Sequence, residues 1–176
     1  IGGHQALEWT ISNPDLFEHA IYVATNAVNT PWVTAFNESQ RLAIQADATF
    51  FNDVPNGGSA GLKAARSIAL LSYRNRNAYN ETQKENDSER IDNYKASSYQ
   101  AYQGDKLVDR FNAYSYYTLS NALDSHNVGR GRGGYEKALS RIKAKSLIIS
   151  IDTDLLFTTE DQKLIHKHIP GSKLEI

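Results

Sequence analysis

Two short apolar runs, more than a hundred residues apart, constrain this chain most. His19 to Thr25 (His-Ala-Ile-Tyr-Val-Ala-Thr) and Ser146 to Ile151 (Ser-Leu-Ile-Ile-Ser-Ile) are rich in β-branched residues and apolar on both faces. That is the pattern of buried parallel strands, which need helices to cover them. Ala6, Leu7, Thr10 and Ile11 recur at helical spacing before the first run, so a helix is expected over 3–12, stopped at Asn13-Pro14. Helix, short loop and strand form the second half of a βαβ unit.

Between the two runs the periodicity is helical. Helices are expected at about 34–46, 59–74 (with Ser59 as N-cap), 89–102 and 112–123. The stretch from Asn75 to Arg90 is almost wholly polar and reads as an exposed loop or a frayed helix end. Four helices are too many for one crossover and imply an inserted cap. The α/β pattern then resumes: a helix over 133–142, the second strand, a capping box at Thr158 and Asp161 opening a helix that stops at Pro170-Gly171, and the start of a further strand at Lys173. The expected organisation is therefore an α/β core at 1–30 and 133–176, with the helical cap at 31–132.

Composition narrows the chemistry. Among 176 residues there is no cysteine, which excludes disulfides, thiolate metal sites and a cysteine nucleophile. A net charge of −1 gives no electrostatic reason to expect nucleic acid or an anionic membrane. No apolar run approaches the ~18 residues that span a bilayer, and a cytoplasmic location fits. Ile1 and the strand-like Lys173–Ile176 both read as lying inside elements of a larger fold.

Open parallel sheets carry their chemistry outside the carboxyl ends of the strands. Two places qualify. Ile1-Gly2-Gly3, before a helix, fits the residues that follow the serine of a nucleophile elbow, although Gly-Gly there is more often an ordinary tight turn. Asp154, just past the second strand, stands where the acid of a serine–acid–histidine triad belongs. Asp152 is the weaker neighbour, and a solvated loop aspartate or helix cap is the plain alternative.

Longer motifs point to one family. Ile1-Gly-Gly-His-Gln-Ala-Leu-Glu-Trp9, Ala35-Phe-Asn-Glu-Ser-Gln-Arg41, Gly61-Leu-Lys-Ala-Ala-Arg66 with Leu71-Ser-Tyr-Arg74, Tyr102-Gln-Gly-Asp-Lys106, Arg110-Phe-Asn-Ala-Tyr-Ser-Tyr116, Ala122-Leu-Asp124 and Asp152-Thr-Asp-Leu-Leu-Phe157 follow one another in order. Together they resemble the homoserine O-acetyltransferases. The resemblance implies an α/β-hydrolase fold, here a partial parallel sheet with an inserted α-helical cap. It implies ping-pong acetyl transfer from acetyl-CoA to L-homoserine, in methionine biosynthesis, with no metal or bound cofactor and a homodimer formed through the cap helices. Asp154 matches the triad acid, and the backbone N–H of Ile1 matches one oxyanion donor. Arg66 matches an arginine that binds substrate in the family's active-site tunnel, and Tyr73 matches a tyrosine lining it. If both lie on one helix, they are nearly two turns apart and share a face with about 20° of drift.

The family's serine would immediately precede Ile1, and its Gly-His-Asp histidine would lie past Ile176. The 176 residues alone are therefore expected to be inactive. A succinyl donor, a serine acceptor or an esterase of the same fold remain alternatives.

The five histidines receive no catalytic role. Asp124-Ser125-His126 holds the three triad residue types, but adjacent side chains diverge and it reads as a polar helix end. His166 and His168 lack the spacing of a zinc pair, and His4 and His19 have no partner in sequence. Gly129-Arg-Gly-Arg-Gly-Gly134 reads as a flexible loop rather than an RNA-binding segment, with a lesser possibility that Arg130 or Arg132 meets a coenzyme A phosphate. Sequons begin at Asn37, Asn80 and Asn86.

Overall fold

A computed structural model describes residues 1–52 and 54–176. In chain order the elements are α1 (Gly2–Ser12), β1 (His19–Val23), α2 (Pro31–Gln45), α3 (Ser59–Leu70), α4 (Arg76–Gln83), α5 (Lys95–Val108), α6 (Ala113–Asp124), α7 (Tyr135–Leu139), β2 (Lys145–Ile149), α8 (Thr159–His168) and β3 (Lys173–Glu175). They form two compact units: Ile1–Thr30 with Ser125–Ile176, and Pro31–Asp124.

The first unit is built on a parallel sheet of order β1-β2-β3. His19 stands opposite Lys145 and Val23 opposite Ile149, while Leu147 to Ile149 pair with Lys173 to Glu175. Leu7, Ile11, Tyr22, Leu139, Ile148 and Ile165 form its core. Tyr22 is wholly buried, and its hydroxyl is satisfied by Thr10 Oγ1 at 2.8 Å. Both faces of β1 were expected to be buried. Only one is: Ile21 and Val23, which point the other way, are 62% and 50% exposed. Period-2 alternation puts successive residues on opposite faces, and within this unit helices cover only the Tyr22 side.

The expected cap boundary at 132 is also corrected. Residues 125–132 pack with the sheet unit because the backbone ties them there: Asn29 N–H donates to His126 O at 2.9 Å, Val128 N–H donates to Ala27 O at 3.0 Å, and Val128 is fully buried in that core.

The second unit is all helical, with Ile44, Phe50, Leu62, Ala65, Leu107 and Ala113 at its centre. A Cβ on Gly61 would lie 2.6 Å from Ile44 Cα, so only glycine lets α3 approach α2 so closely. Several expectations shift here. Ser59 is the first helical residue rather than the N-cap; Gly58 takes that place with φ +79°, and the Ser59 hydroxyl turns back to Asn56 O. The polar stretch after Asn75 contains α4, which buries no residue and is capped by Asn75 Oδ1 accepting from Asn77 N–H at 2.8 Å and Ala78 N–H at 3.2 Å. The helix expected at 89–102 begins only at Lys95, because Asn93 takes φ +51° and breaks the helical path.

Two of the longer motifs meet in this unit. Arg41, only 4% exposed, pairs with Glu38 and Asp124, each at 2.6 Å, and donates to Ser120 Oγ at 2.8 Å. Asn37 Nδ2 donates to Asp124 Oδ1 at 2.6 Å, so the sequon at Asn37 is buried and engaged.

Candidate active site

The strand ends of the first unit carry the first pair of candidates. Helix α1 opens at Ile1, whose carbonyl accepts from Gln5 N–H at 3.0 Å. Its first turn is pressed against the second residue past β1: a Cβ on Gly3 would stand 2.6 Å from Thr25 Cβ. Gly3 is thus fixed by close approach, where the sequence suggested only a turn.

Asp154 follows β2, on the same edge. Its backbone N–H donates to Ile151 O at 3.0 Å, and its Oδ1 accepts from Leu156 N–H at 2.8 Å and Phe157 N–H at 2.9 Å. The carboxylate is half-buried and held by main chain. A group so anchored by one oxygen can orient a donor with the other. Asp152 is exposed. The Phe157 ring meets the His4 ring edge-on at 5.8 Å, joining the Asp154 loop to the first turn after Ile1. Past the loop, Thr158 N–H donates to Asp161 Oδ2 at 3.0 Å, starting α8 as the capping pattern suggested.

His4 has a partner that the sequence did not reveal. It stacks on His126 with centroids 3.8 Å apart and an interplanar angle of 7°. Burial, reinforced by His126, lowers the His4 pKa to about 3. Burial also lowers His126, whose Nε2 meets Asn26 O at 3.0 Å. The Asn26 amide lies beside His4 without closing a hydrogen bond, and His4 Nε2 and Gln162 Oε1 are likewise unmet. One signal was available: His4, Leu7 and Ile11 fall on one helical stripe, and all three are buried.

The glycine-rich segment is stapled rather than flexible. Arg132 holds Glu8 with both terminal nitrogens, at 3.1 and 2.7 Å, and also donates to Val128 O at 2.9 Å. That occupies the guanidinium considered for a coenzyme A phosphate, while Arg130 donates to Ser125 O at 2.8 Å. Positive φ accounts for Gly131, Gly133 and Gly134, and the close approach of the Gly134–Tyr135 backbone accounts for Gly129. Among the described residues no cluster of His, Asp and Glu could hold a metal ion, and no helix is long and apolar enough to cross a membrane.

The second pair of candidates meets in the helical unit. Arg66 lies on α3 with its guanidinium carbon 5.1 Å from the centre of the Tyr73 ring. The route differs from the expected one. The helix ends at Leu70, and Tyr73 is reached through i−3 turns, its N–H donating to Leu70 O at 3.2 Å. Arg66 Nε is buried with no acceptor, and Arg66 makes no ion pair among the described residues. Near it, Tyr116 donates to Gln40 Oε1, and burial together with Tyr73 raises the Tyr116 pKa. Neither Tyr116 nor Gln40 stood out as a site residue in the sequence, although each lies in a motif quoted above.

The chain is 50% identical, over its whole length, to a homoserine O-acetyltransferase from Cyclobacterium marinum, of which it covers 50%. It matches the crystal structure of a homoserine O-acetyltransferase from Staphylococcus aureus with TM-score 0.79 and 28% identity, covering 99% of this chain and 48% of that one. An acetylester hydrolase from Corynebacterium glutamicum shares the fold, with TM-score 0.84 at 23% identity, covering 99% of this chain and 50% of that one. No family model matches the chain. It spans about half the length of the curated relatives it matches. The chain has the α/β-hydrolase fold and is homologous, along its whole length, to about half of each curated homoserine O-acetyltransferase it matches.

Proposed function

We propose that the protein carrying this chain transfers an acetyl group from acetyl-CoA to the hydroxyl of L-homoserine, and that it needs no resident cofactor or metal. Identity of 50% over the whole length of the chain, to a protein named for that activity, is the observation that carries this reading. In the proposed cycle a serine supplied from outside the 176 residues attacks the thioester carbonyl, and CoA leaves as the thiol. The homoserine hydroxyl then attacks the acyl-enzyme, a histidine takes its proton, and the serine is released. Asp154 would orient that histidine, and the Ile1 N–H would stabilise the oxyanion. Arg66 would grip the homoserine carboxylate, and Tyr73 would line the same site. A cytoplasmic homodimer joined through the helical unit completes the proposal.

The test is product analysis with the full-length protein. Acetyl-CoA and L-homoserine should give O-acetylhomoserine at a rate well above hydrolysis and above that with succinyl-CoA or L-serine. Free acetate as the dominant product would instead identify an esterase.

A further inference from the structure

The rings beside the Asp154 loop are braced from behind. His126 Nε2 faces Asn26 O at 3.0 Å; a carbonyl only accepts, so this nitrogen carries the His126 proton. The His126 carbonyl in turn accepts from Asn29 N–H at 2.9 Å. Held through ring and main chain, His126 offers a fixed plane, and His4 lies flat on it at 3.8 Å. His4 is 6% exposed, and the turn that carries it is tight against Thr25 at Gly3. The His4 ring also meets Phe157 edge-on at 5.8 Å. Phe157 is at the same time a donor to Asp154, its N–H lying 2.9 Å from Oδ1. A shift of the Phe157 ring therefore carries with it one of the two main-chain groups that aim the carboxylate.

We infer that the stacked His126–His4 pair, acting through the Phe157 ring, sets where the Asp154 carboxylate stands, so that all three are positioning residues for the proposed acyl transfer. The pair acts by shape and exchanges no proton. An aromatic edge against a fixed ring has a preferred separation and tilt, which an aliphatic side chain in the same place does not impose on the loop. Catalytic geometry is sensitive to small displacements of this kind. The inference rests on the reading that Asp154 is the triad acid, and it adds what aims that acid.

Turnover of p-nitrophenyl acetate by the full-length protein tests it, because this acyl donor needs the serine, histidine and acid but no homoserine. His4→Leu, which keeps an apolar side chain of similar size, should lower kcat on the order of a hundredfold, the cost of about 1 Å of misplacement, with KM within about twofold. His4→Phe restores a ring and should recover most of that loss. Asp154→Asn removes the charge being aimed, so adding His4→Leu to it should cost less than about threefold more. Phe157→Leu should reproduce the pattern, and it decides the matter if His4→Leu does not fold. A merely structural role would leave kcat per folded molecule unchanged, or lower it by the same factor with and without the Asp154 carboxylate; either result overturns the inference. A parent inert toward the ester, or one in which Asp154→Asn turns over normally, ends the triad reading and the inference together. A parent that cleaves the ester through Asp154 yet makes no O-acetylhomoserine counts against the proposed function alone.

Discussion

The helical unit holds two arginines in opposite ways. Arg41 is buried and matched by Glu38, Asp124 and Ser120. Arg66 lies against a tyrosine ring with its Nε unmet and no carboxylate beside it among the described residues. A buried charge that is matched holds helices in register, whereas a half-buried guanidinium with an unmet nitrogen keeps its charge available to a ligand. The contrast separates an arginine that serves the fold from one available to a substrate.

Substitution should separate them by kind of effect as well as size. Arg41→Ala leaves Asp124 largely buried without its cation and should cost about 3–5 kcal/mol of stability, read from urea unfolding. Arg66→Ala should leave the unfolding midpoint within experimental error, yet lower kcat/KM for L-homoserine in the full-length protein roughly a hundredfold, equivalent to about 2.7 kcal/mol. If both variants lose stability alike, the contrast is broken.

The sheet unit has its own mismatch. Folding holds the His4 pKa near 3, below its ordinary 6.5, so above pH 6.5 the neutral ring costs nothing. As pH falls, the unfolded chain takes up a proton that the folded chain refuses. Stability is therefore lost from about pH 6.5 downward at about 1.4 kcal/mol per pH unit, until pH approaches 3. His126 is shifted the same way and steepens the fall. Urea midpoints at pH 7, 5.5 and 4.5 should trace the slope, and His4→Phe should flatten it. The smallest expected effect is at Asn75→Ala, which removes the cap of a helix that buries nothing and should cost about 1 kcal/mol, read from the same urea unfolding.

The sheet was legible because Ile148, Tyr22 and their neighbours concentrate apolar, β-branched and aromatic character in two short runs. The place of Asp154, just past β2, was legible because the apolar run before it reads as a parallel strand, and the carboxyl end of such a strand is where chemistry is sought. Helix α5 was misplaced because its start depends on the backbone at Asn93, which no periodicity reports. Arg66 and Tyr73 were paired correctly for the wrong reason: a contact made through a turn beyond the helix took the place of a shared helical face. The His4–His126 stack and the Tyr116–Gln40 bond were hidden for one reason. Each joins segments distant in the chain, and only the folded backbone brings them together.

The rate of O-acetylhomoserine formation by the full-length protein, compared with that of its Asp154→Asn variant, bears most directly on the central claim. A triad acid predicts a fall in kcat of about ten-thousandfold with the fold intact, because the histidine loses its orienting charge and adopts the wrong tautomer. A variant that still acetylates homoserine within about tenfold of the parent would show that Asp154 only shapes its own loop.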